Sequence, residues 1–380
     1  MTGPLAGVRV IEFAGIGPGP FCGMMLADHG AEVIRVDRLG AQGLVSAPDK
    51  DFLNRSRKSF SVDLKTADGI TLVRRLCQTA DAVFEGYRPG VMERLGLAPD
   101  VLGADNPKLV YGRMTGWGQD GPYAHTAGHD INYIALSGAL HASGRAGQRP
   151  TPPMNLIGDF GGGGLMLAFG LLAAIVSARA TGRGQVVDCA MTEGSAVLMA
   201  MIYSLRAQGL WSDERGVNLL DSGCHYYDTY ETADGKFVSI GSVEPQFYRL
   251  LLELIGLADD EDFQVQNDKA QWPRLKAKLD ALFRMRTRAE WSAVLEGTDA
   301  CFAPVMSLDE APLHPHNLAR GAFVEVGGAM QPAPAPRYSL TQNPPPAPMA
   351  SGAGGIAPLM AELGYAPDEL ADLRARAVLG

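Results

Sequence analysis

Two side chains that can transfer protons, His129 and Asp159, stand beside glycines in an otherwise apolar stretch between Thr115 and Gly164. Removing a proton from an unactivated carbon needs a base, an acid and a group that holds the developing oxyanion. The imidazole of His129 can accept a proton near neutral pH, because the reference pKa of histidine lies in that range. This combination of residue types indicates acid–base chemistry at carbon.

Asp159 comes just before four glycines, Gly161 to Gly164, and an apolar segment from Leu165 to Val176. We expect the N-cap of a buried helix here, with Asp159 as the capping residue. Backbone N–H groups at the positive end of such a helix could stabilise an enolate-like oxygen. The same dipole lowers the pKa of a carboxyl group, whereas a proton donor needs a raised pKa. Burial of Asp159 would therefore have to outweigh the dipole.

A plainer alternative assigns no chemistry to either residue. Asp159 would only cap a helix, and His129 would be a satisfied core histidine. Because capping aspartates are common, the local pattern by itself favours this alternative.

Composition limits the classes of protein. The chain has 380 residues, of which 46% are hydrophobic and 20% charged, as expected for a globular protein with two domains. A formal net charge of −9 argues against a nucleic-acid partner, so an anionic ligand would have to be bound by local arginines.

The cysteine pattern and the lengths of the apolar runs indicate the cellular compartment of the protein. Five scattered cysteines without a CxxC pair fit a reducing compartment and argue against a zinc site. We expect no signal peptide and no membrane insertion, because the longest apolar run, Leu165 to Val176, is too short to span a bilayer. These features predict a cytoplasmic protein without a bound metal.

The opening of the chain predicts an α/β fold. A buried strand, a glycine-rich turn, a helix and a second strand follow one another at Val8–Phe13, Gly15–Pro20, Phe21–His29 and Ala31–Val36. This order is typical of doubly wound parallel sheets. It raises the hypothesis of a dinucleotide site, with Asp37 on a ribose hydroxyl.

Details of the turn weaken the dinucleotide hypothesis. The pair Gly17 and Gly19 lacks the third glycine of the fingerprint, whose position Cys22 occupies. Pro18 and Pro20 also remove backbone N–H groups that a pyrophosphate would need. These two features argue against a nicotinamide-dependent enzyme.

Basic residues cluster near predicted strand ends and turns, where α/β folds bind ligands. Guanidinium groups bind phosphates in a bidentate way, so the cluster predicts a polyphosphate ligand. The alternative for each of them is an ordinary solvated surface charge. The cluster comprises Arg38, Arg55, Arg57, Lys58, Arg88 and Arg94.

Changes in composition and hydrophobic pattern along the chain predict two domains. We expect a large domain over residues 1–190, completed by 330–380, a linker helix within 191–222, a small α+β domain over 223–303 and a proline-rich extended linker over 304–348. Leu165–Arg179 lacks a polar face, which predicts a helix buried between layers. The Asp-Gly turn at Asp234 predicts a hairpin that opens the small domain.

Six segments together resemble the family III CoA-transferase superfamily, and within it the α-methylacyl-CoA racemase branch. They are Gly7–Gly15, Glu85–Gly96, Thr115–Pro122, Gly128–Tyr133, Gly158–Gly164 and Gly182–Asp188. The resemblance extends from Leu5 to Pro336. It implies a Rossmann-like large domain, a smaller α+β domain, an interlocked homodimer and CoA bound near the strand ends.

The resemblance also implies roles for individual residues and reverses the preference for the plainer alternative. His129 resembles the racemase base on one face of the thioester α-carbon, and Asp159 resembles the acid–base group on the other face. Glu244 resembles the carboxylate that hydrogen-bonds the histidine, and Asp130 is assigned to the same network. The residues similar to the CoA-phosphate contacts of the family are Arg38, Arg55, Arg88 and Arg94.

The expected reaction is epimerisation of 2-methylacyl-CoA thioesters by a two-base 1,1-proton transfer through an enolate. CoA is part of the substrate, and neither a metal nor another cofactor is expected. The alternative is a CoA-transferase in which Asp159 attacks the thioester and forms a covalent anhydride. His129 favours the racemase, because a transferase needs no second base. A noncatalytic CoA-binding protein would be expected to have lost His129 or Asp159.

Overall fold

The computed structural model describes residues 3–40, 50–351 and 353–380. The chain divides into two compact units, and each is built from separate stretches of sequence. The first unit comprises Met1–Ala139, Met154–Met199 and Gly321–Gly380, and the second comprises Leu140–Pro153 and Ala200–Arg320. The bounds of the domains expected from the sequence stay a prediction. Of the large domain expected there, residues 1, 2, 41–49 and 352 lie outside the described residues.

The strands in chain order are β1 Arg9–Phe13, β2 Glu32–Arg38, β3 Lys58–Val62, β4 Ala82–Glu85, β5 Val110–Thr115, β6 Val186–Ala190, β7 Tyr227–Glu231, β8 Phe237–Gly241, β9 Phe302–Pro304, β10 Phe323–Val326, β11 Ala329–Pro332 and β12 Ala350–Ser351.

The α-helices are α1 Pro18–Asp28, α2 Ala67–Gln78, α3 Val91–Arg94, α4 Pro99–Asp105, α5 Asp130–Leu136, α6 Ala139–Ala142, α7 Met166–Thr181, α8 Met191–Leu198, α9 Ala200–Ala207, α10 Pro245–Ile255, α11 Trp272–Phe283, α12 Arg288–Leu295, α13 Pro315–Arg320, α14 Ala353–Glu362 and α15 Pro367–Ala375. A π-helix, Leu156–Leu165, precedes α7, and short 3₁₀ turns lie at Phe52–Asn54, Glu261–Gln264 and Ala311–Leu313.

The first unit is built on a parallel sheet. Its six principal strands are ordered β3-β2-β1-β4-β5-β6, and the two-residue β12 extends the sheet beside β3. All neighbouring strands run parallel. This is the doubly wound order, and the predicted α/β class is confirmed. The order reverses between β1 and β4, which is where such sheets bind their ligands.

Helices cover both faces of the sheet, as parallel strands require. Alternate residues of β1 point to opposite faces, so Ile11 and Val10 belong to two separate hydrophobic cores. The core around Ile11 includes side chains of α2, α4, α14 and α15. The core around Val10 includes side chains of α1 and α7. The last helices of the chain therefore complete the first unit.

The π-helix carries the glycine run, and it packs by backbone contact. The Phe160 N–H donates to the Asn155 carbonyl at 3.3 Å, which is the i to i−5 spacing of a π-helix. A Cβ on Gly194 in α8 would lie 1.9 Å from the Gly162 carbonyl oxygen, and one on Gly164 would lie 2.6 Å from the Pro18 carbonyl oxygen. Any side chain at these two positions would clash with the neighbouring backbone, so only glycine allows the helices to lie this close. The contacts hold the π-helix against α1 and α8.

The prediction of a helix over Leu165–Arg179 is confirmed by α7, but the prediction that this helix is buried between layers is wrong for the described chain. Leu167 and Leu171 of α7 are buried in the core, but Phe169 is 72% exposed and Val176 is 70% exposed. The helix has an apolar outer face because its composition is apolar on all sides.

The sequence argument against membrane insertion assumed that the apolar helix is too short to span a bilayer, but the helix in the structure is longer. The π-helix and α7 form one helical stretch, Leu156–Thr181, that is long and apolar enough to cross a membrane by length and composition. Its most apolar window is 44% buried within the protein. A partly buried core helix passes the same test, so the absence of membrane insertion stays a prediction.

The second unit contains an antiparallel sheet in the order β7-β8-β9. The predicted hairpin is confirmed, because Tyr227 pairs with Gly241 and Glu231 pairs with Phe237 around the Asp-Gly turn. Helices α10, α11 and α12 pack on the sheet around an aromatic core. Gly256 ends α10 in the left-handed conformation, with a φ of 79°.

The prediction of a continuously extended linker over residues 304–348 is wrong. The segment contains helix α13 and a hairpin in which Phe323 pairs with Pro332. Gly327 and Gly328 form its two-residue turn, with φ angles of 60° and 74°. Two glycines with positive φ are typical of the hairpin turn that matches strand twist. The two glycines therefore favour a hairpin here, although the prolines of the segment favour an extended chain.

Candidate active site

A cavity of about 470 Å³ in the first unit opens at the carboxyl ends of β1, β4 and β5. It therefore lies at the point where the strand order reverses, as expected for an α/β sheet. The residues that follow these three strands supply most of the wall. Side chains of chemical interest along the wall are Tyr87, Arg88, Trp117, His129, Tyr133 and Asp159.

His129 is the N-cap residue of α5 and has an extended backbone, with a φ of −134°. Its backbone N–H donates to Asn132 Oδ1 at 3.0 Å, and its carbonyl accepts from the Asn132 N–H at 2.8 Å. Its side chain is exposed and lines the cavity. Local backbone capping thus fixes the residue while the imidazole faces the cavity.

Asp159 lies in the first turn of the π-helix, where its half-buried carboxyl group also lines the cavity. The prediction that Asp159 is the N-cap is wrong, because the helix begins at Leu156 after Asn155. The glycine run continues as helix instead of starting it, so Gly161 to Gly164 do not form an open helix terminus. Tertiary contacts of the glycines make this possible.

The surroundings of Asp159 suit a proton donor. Burial raises the pKa of its carboxyl group, and the nearby charge of Asp130 raises that pKa further. A hydrogen bond from Asn155 Nδ2 to Asp159 Oδ2, at 3.2 Å, and the proximity of His129 act in the opposite direction. The effect of burial is larger than these two effects, so the pKa of Asp159 is raised overall, as a proton donor requires.

Asp130 joins the two elements that carry His129 and Asp159. It is 7% exposed, and its Oδ1 accepts the backbone N–H of Asp159 at 2.7 Å. A Cβ on Gly158 would lie 2.3 Å from that oxygen, so glycine gives the carboxylate room. Three of the predicted site residues therefore come together. Asp130 positions Asp159 by a charge-assisted hydrogen bond.

Glu244 lies in the second unit, where it is the exposed N-cap residue of α10. Pro245, the first residue of α10, is a residue type typical of helix starts. The predicted hydrogen bond of Glu244 to His129 concerns the other unit and stays a prediction.

The predicted CoA-binding arginines divide into two groups. Arg88 lines the cavity, and Arg38 and Arg94 are exposed at the ends of β2 and α3. Arg55 is only 4% exposed, and it donates to Asp28 at 3.0 Å and to Gln331 at 2.8 Å. The structure does not bring Arg55 to the cavity, because its guanidinium group is held in a buried ion pair.

The other two basic residues of the cluster are also paired. Arg57 is 1% exposed and lies 3.0 Å from the carboxylate of the fully buried Glu12. Lys58 contacts Glu32 at 2.6 Å. These contacts give both residues a structural role.

A family model for CoA-transferase family III matches residues 5–353. The chain belongs to this family. It is 46% identical over 371 residues to an alpha-methylacyl-CoA racemase of Mus musculus, covering 97% of this chain and 96% of the relative. It is 46% identical over 320 residues to an alpha-methylacyl-CoA racemase of Homo sapiens, covering 84% and 82%. The resemblance inferred from the sequence motifs is confirmed.

A solved structure has the same fold. A CAIB/BAIF family protein from Brucella suis superposes with a TM-score of 0.80 at 26% identity, covering 96% of this chain and all of the other. The mixed α/β fold with its parallel sheet is therefore shared with a protein of known structure.

Sequence reasoning missed the buried carboxyl group of Glu85, which lies next to the cavity wall. Glu85 ends β4 directly before the cavity wall, is 4% exposed, and accepts the Tyr87 N–H at 2.7 Å. Burial raises its pKa to about 7, and the guanidinium group of Arg113, 4.0 Å away, partly opposes this. An acidic residue that ends an otherwise apolar strand was the available signal.

Arg113 links two parts of the cavity wall. It donates to Gln119 at 2.7 Å and also contacts Glu93, so it connects the loop after β5 to α3. Glu85 and Arg113 together support the loops that carry Arg88 and Trp117.

The raised pKa of Glu85 predicts a pH-dependent stability. The folded protein favours the protonated form, so this stabilising effect is present below pH 4.5 and is lost as the pH rises through about 7. Relative to Glu85→Gln, the free energy of unfolding of the wild type should fall by about 3 kcal/mol between pH 4.5 and pH 8. Urea unfolding of both proteins at several pH values measures this difference in free energy of unfolding.

Glu93→Gln is the matched control, because Glu93 contacts the same arginine but its pKa is lowered. The stabilisation by the Glu93 carboxylate is present above pH 4.5 and is lost as the pH falls below that value, so the wild type and Glu93→Gln should differ little in pH dependence between pH 4.5 and pH 8. A parallel pH dependence for the wild type and Glu85→Gln would contradict the buried, protonatable state of Glu85.

Proposed function

We propose that the chain is a racemase that epimerises 2-methylacyl-CoA thioesters by a two-base 1,1-proton transfer. The observation that carries the proposal is that His129 and Asp159 line one cavity and are tied together through Asp130. The racemases of mouse and human, each 46% identical to this chain, support the choice of reaction and substrate class.

The mechanism uses the two groups in opposite protonation states. In one direction, neutral His129 removes the α-proton while protonated Asp159 donates a proton to the other face. In the reverse direction, the Asp159 carboxylate removes the proton and the imidazolium donates it. The thioester carbonyl carries the negative charge of the enolate in between. The raised pKa of Asp159 supports a protonated form from which it can donate.

The CoA phosphates are proposed to bind at exposed arginines near the cavity. Arg88 is in the wall, and Arg38 and Arg94 are exposed at the ends of β2 and α3. Arg55 is left out, since its partners are Asp28 and Gln331. We propose that no metal or further cofactor takes part, because the thioester itself acidifies the α-carbon.

A CoA-transferase is the second candidate, because the family carries that name. In that reaction the Asp159 carboxylate would attack the thioester carbonyl and form an anhydride with release of the CoA thiolate. Two observations favour the racemase over it. Burial disfavours the ionised carboxyl group that a nucleophile needs, and His129 supplies a second base in the same cavity.

We also propose that the protein is a homodimer. An apolar stripe runs along one side of the helical stretch through Leu165 at 48% exposed, Phe169 about one turn later at 72% and Val176 about two turns after that at 70%. Contiguous apolar surface of this kind marks protein interaction sites. Together with the resemblance noted from the sequence, it supports a second copy of the chain as the partner.

The proposed cytoplasmic location is supported by the cysteines. All five are free thiols, and four of them are buried. Free thiols persist in a reducing compartment. Cell fractionation tests this location, and secretion of the protein would contradict it.

The reaction is tested with one epimer of a 2-methylacyl-CoA in deuterated water without any acceptor acid. We expect deuterium at the α-carbon and formation of both epimers, because each base exchanges its proton with solvent. No exchange, followed by formation of a new acyl-CoA once free carboxylic acids are added, would assign the chain as a transferase.

His129→Ala and Asp159→Ala should each lower the rate of inversion by about 10²-fold or more, while CoA affinity is retained. The matched controls are His125→Ala and Asp120→Ala, which remove exposed residues outside the cavity lining. Arg88→Ala should show the reverse pattern, with weaker CoA binding as the main effect. Full inversion by either catalytic variant would contradict the two-base scheme.

The dimer is tested by sedimentation equilibrium. The wild type should have twice the chain mass of 40.3 kDa, and Phe169→Asp should shift it toward the monomer, because a charge would be buried in the interface. Leu340→Asp is the control, since Leu340 is 95% exposed and lies off the stripe. A monomeric wild type would contradict the proposal.

A further inference from the structure

The carboxyl group of Asp159 lies at the start of α1. Gly17 is the N-cap residue of α1, with a φ of 67°, and a Cβ on it would lie 2.8 Å from Asp159 Oδ2. An N-cap side chain normally places its oxygen here and accepts the N–H of the second or third helical residue. Asp159 therefore occupies the space of the N-cap side chain that Gly17 lacks.

This helix start is unusually poor in donors. The first and third helical residues, Pro18 and Pro20, have no backbone N–H. The Phe21 N–H donates to the Gly17 carbonyl at 3.2 Å. Only the N–H of Gly19 remains at a capping position, and within the described part of the chain it makes no hydrogen bond to Asp159.

The remaining groups around Asp159 come from other elements. From its own helix, Asn155 donates to Oδ2. The charged or titratable groups that face it from α5, or across the cavity, are His129, Asp130, Tyr133 and Arg88. None of them belongs to α1. The effect of the α1 terminus on Asp159 can therefore be changed separately.

We infer that Pro20 tunes Asp159: by withholding the N–H donor of the third helical position from its carboxyl group, it prevents the helix start from holding Asp159 permanently as a carboxylate. A helix N-terminus with free donors stabilises a nearby anion by its dipole and by hydrogen bonds. Here the glycine at the N-cap admits the carboxyl group, and Pro20 leaves it without the donor of the third helical position. Both protonation states of Asp159 stay accessible.

The inference rests on the proposed function, because a two-base reaction needs Asp159 both as acid and as base. The raised pKa of Asp159 agrees with it, since burial is the leading cause and no backbone donor of α1 contributes. Pro20 is a positioning residue in this account, and it acts on the reaction only through Asp159.

The test is Pro20→Ala, which restores an N–H at the third helical position. The Pro20 carbonyl, which accepts from Arg57, is kept. We expect the pKa of Asp159 to fall by about one unit, because a new donor stabilises the carboxylate. Titration of ¹³C-labelled aspartate carboxyl groups by NMR measures it, with the Asp159 signal assigned from its loss in Asp159→Asn. For the epimer from which the Asp159 carboxylate removes the proton, the acid limb of the pH–rate profile should move down in pH with it.

Pro18→Ala is the matched control, because an N-cap acceptor does not normally reach the first helical N–H. It should change the pKa of Asp159 less than Pro20→Ala does. Pro20→Ser restores the same donor and serves where the alanine variant does not fold.

An unchanged Asp159 titration in a folded Pro20 variant would overturn the inference. This readout does not depend on catalysis, so the two proposals fail separately. A wild type that gives no α-proton exchange, combined with a lowered pKa in Pro20→Ala, would remove the racemase and keep the tuning. Normal racemase activity with an unchanged titration would remove only the tuning.

Discussion

The hydrogen bond from the Asp159 N–H to Asp130 Oδ1, 2.7 Å long, is the contact on which the site depends. Asp130 is the first residue of α5 and directly follows His129, so this single bond connects the π-helix to the element that carries the imidazole. Because Asp130 is buried, the bond is screened little by water. The separation of the two candidate bases is thereby set by the fold and not by flexible side chains alone.

The chemistry of Asp159 follows from a competition between burial and hydrogen bonding. Donors at a helix terminus would favour the carboxylate, and an apolar cavity favours the acid. The structure resolves the competition in favour of burial, since Asn155 is the one side-chain donor found for the carboxyl group among the described residues. A carboxyl group in this balance can alternate between acid and base, as proton transfer in both directions requires.

Local signals made much of the fold predictable. The strand–helix–strand opening, the Asp-Gly hairpin and the end of α10 at Gly256 each depend on residues close in sequence. The π-helix could not be predicted, because its geometry depends on contact between Gly162 and the distant Gly194. The pairing of Arg55 with Asp28, 27 residues away, could not be predicted either. Its place in the basic cluster and the motif similarity therefore put Arg55 among the expected phosphate contacts.

The central claim is that two different groups serve opposite faces of the α-carbon, and Asp159→Asn tests it most directly. Each epimer of a 2-methylacyl-CoA is incubated with this variant in deuterated water. The account predicts that His129 still exchanges the α-proton of one epimer with retention of configuration, whereas the other epimer neither exchanges nor inverts. Exchange of both epimers with inversion would contradict the claim, because a single base would then reach both faces.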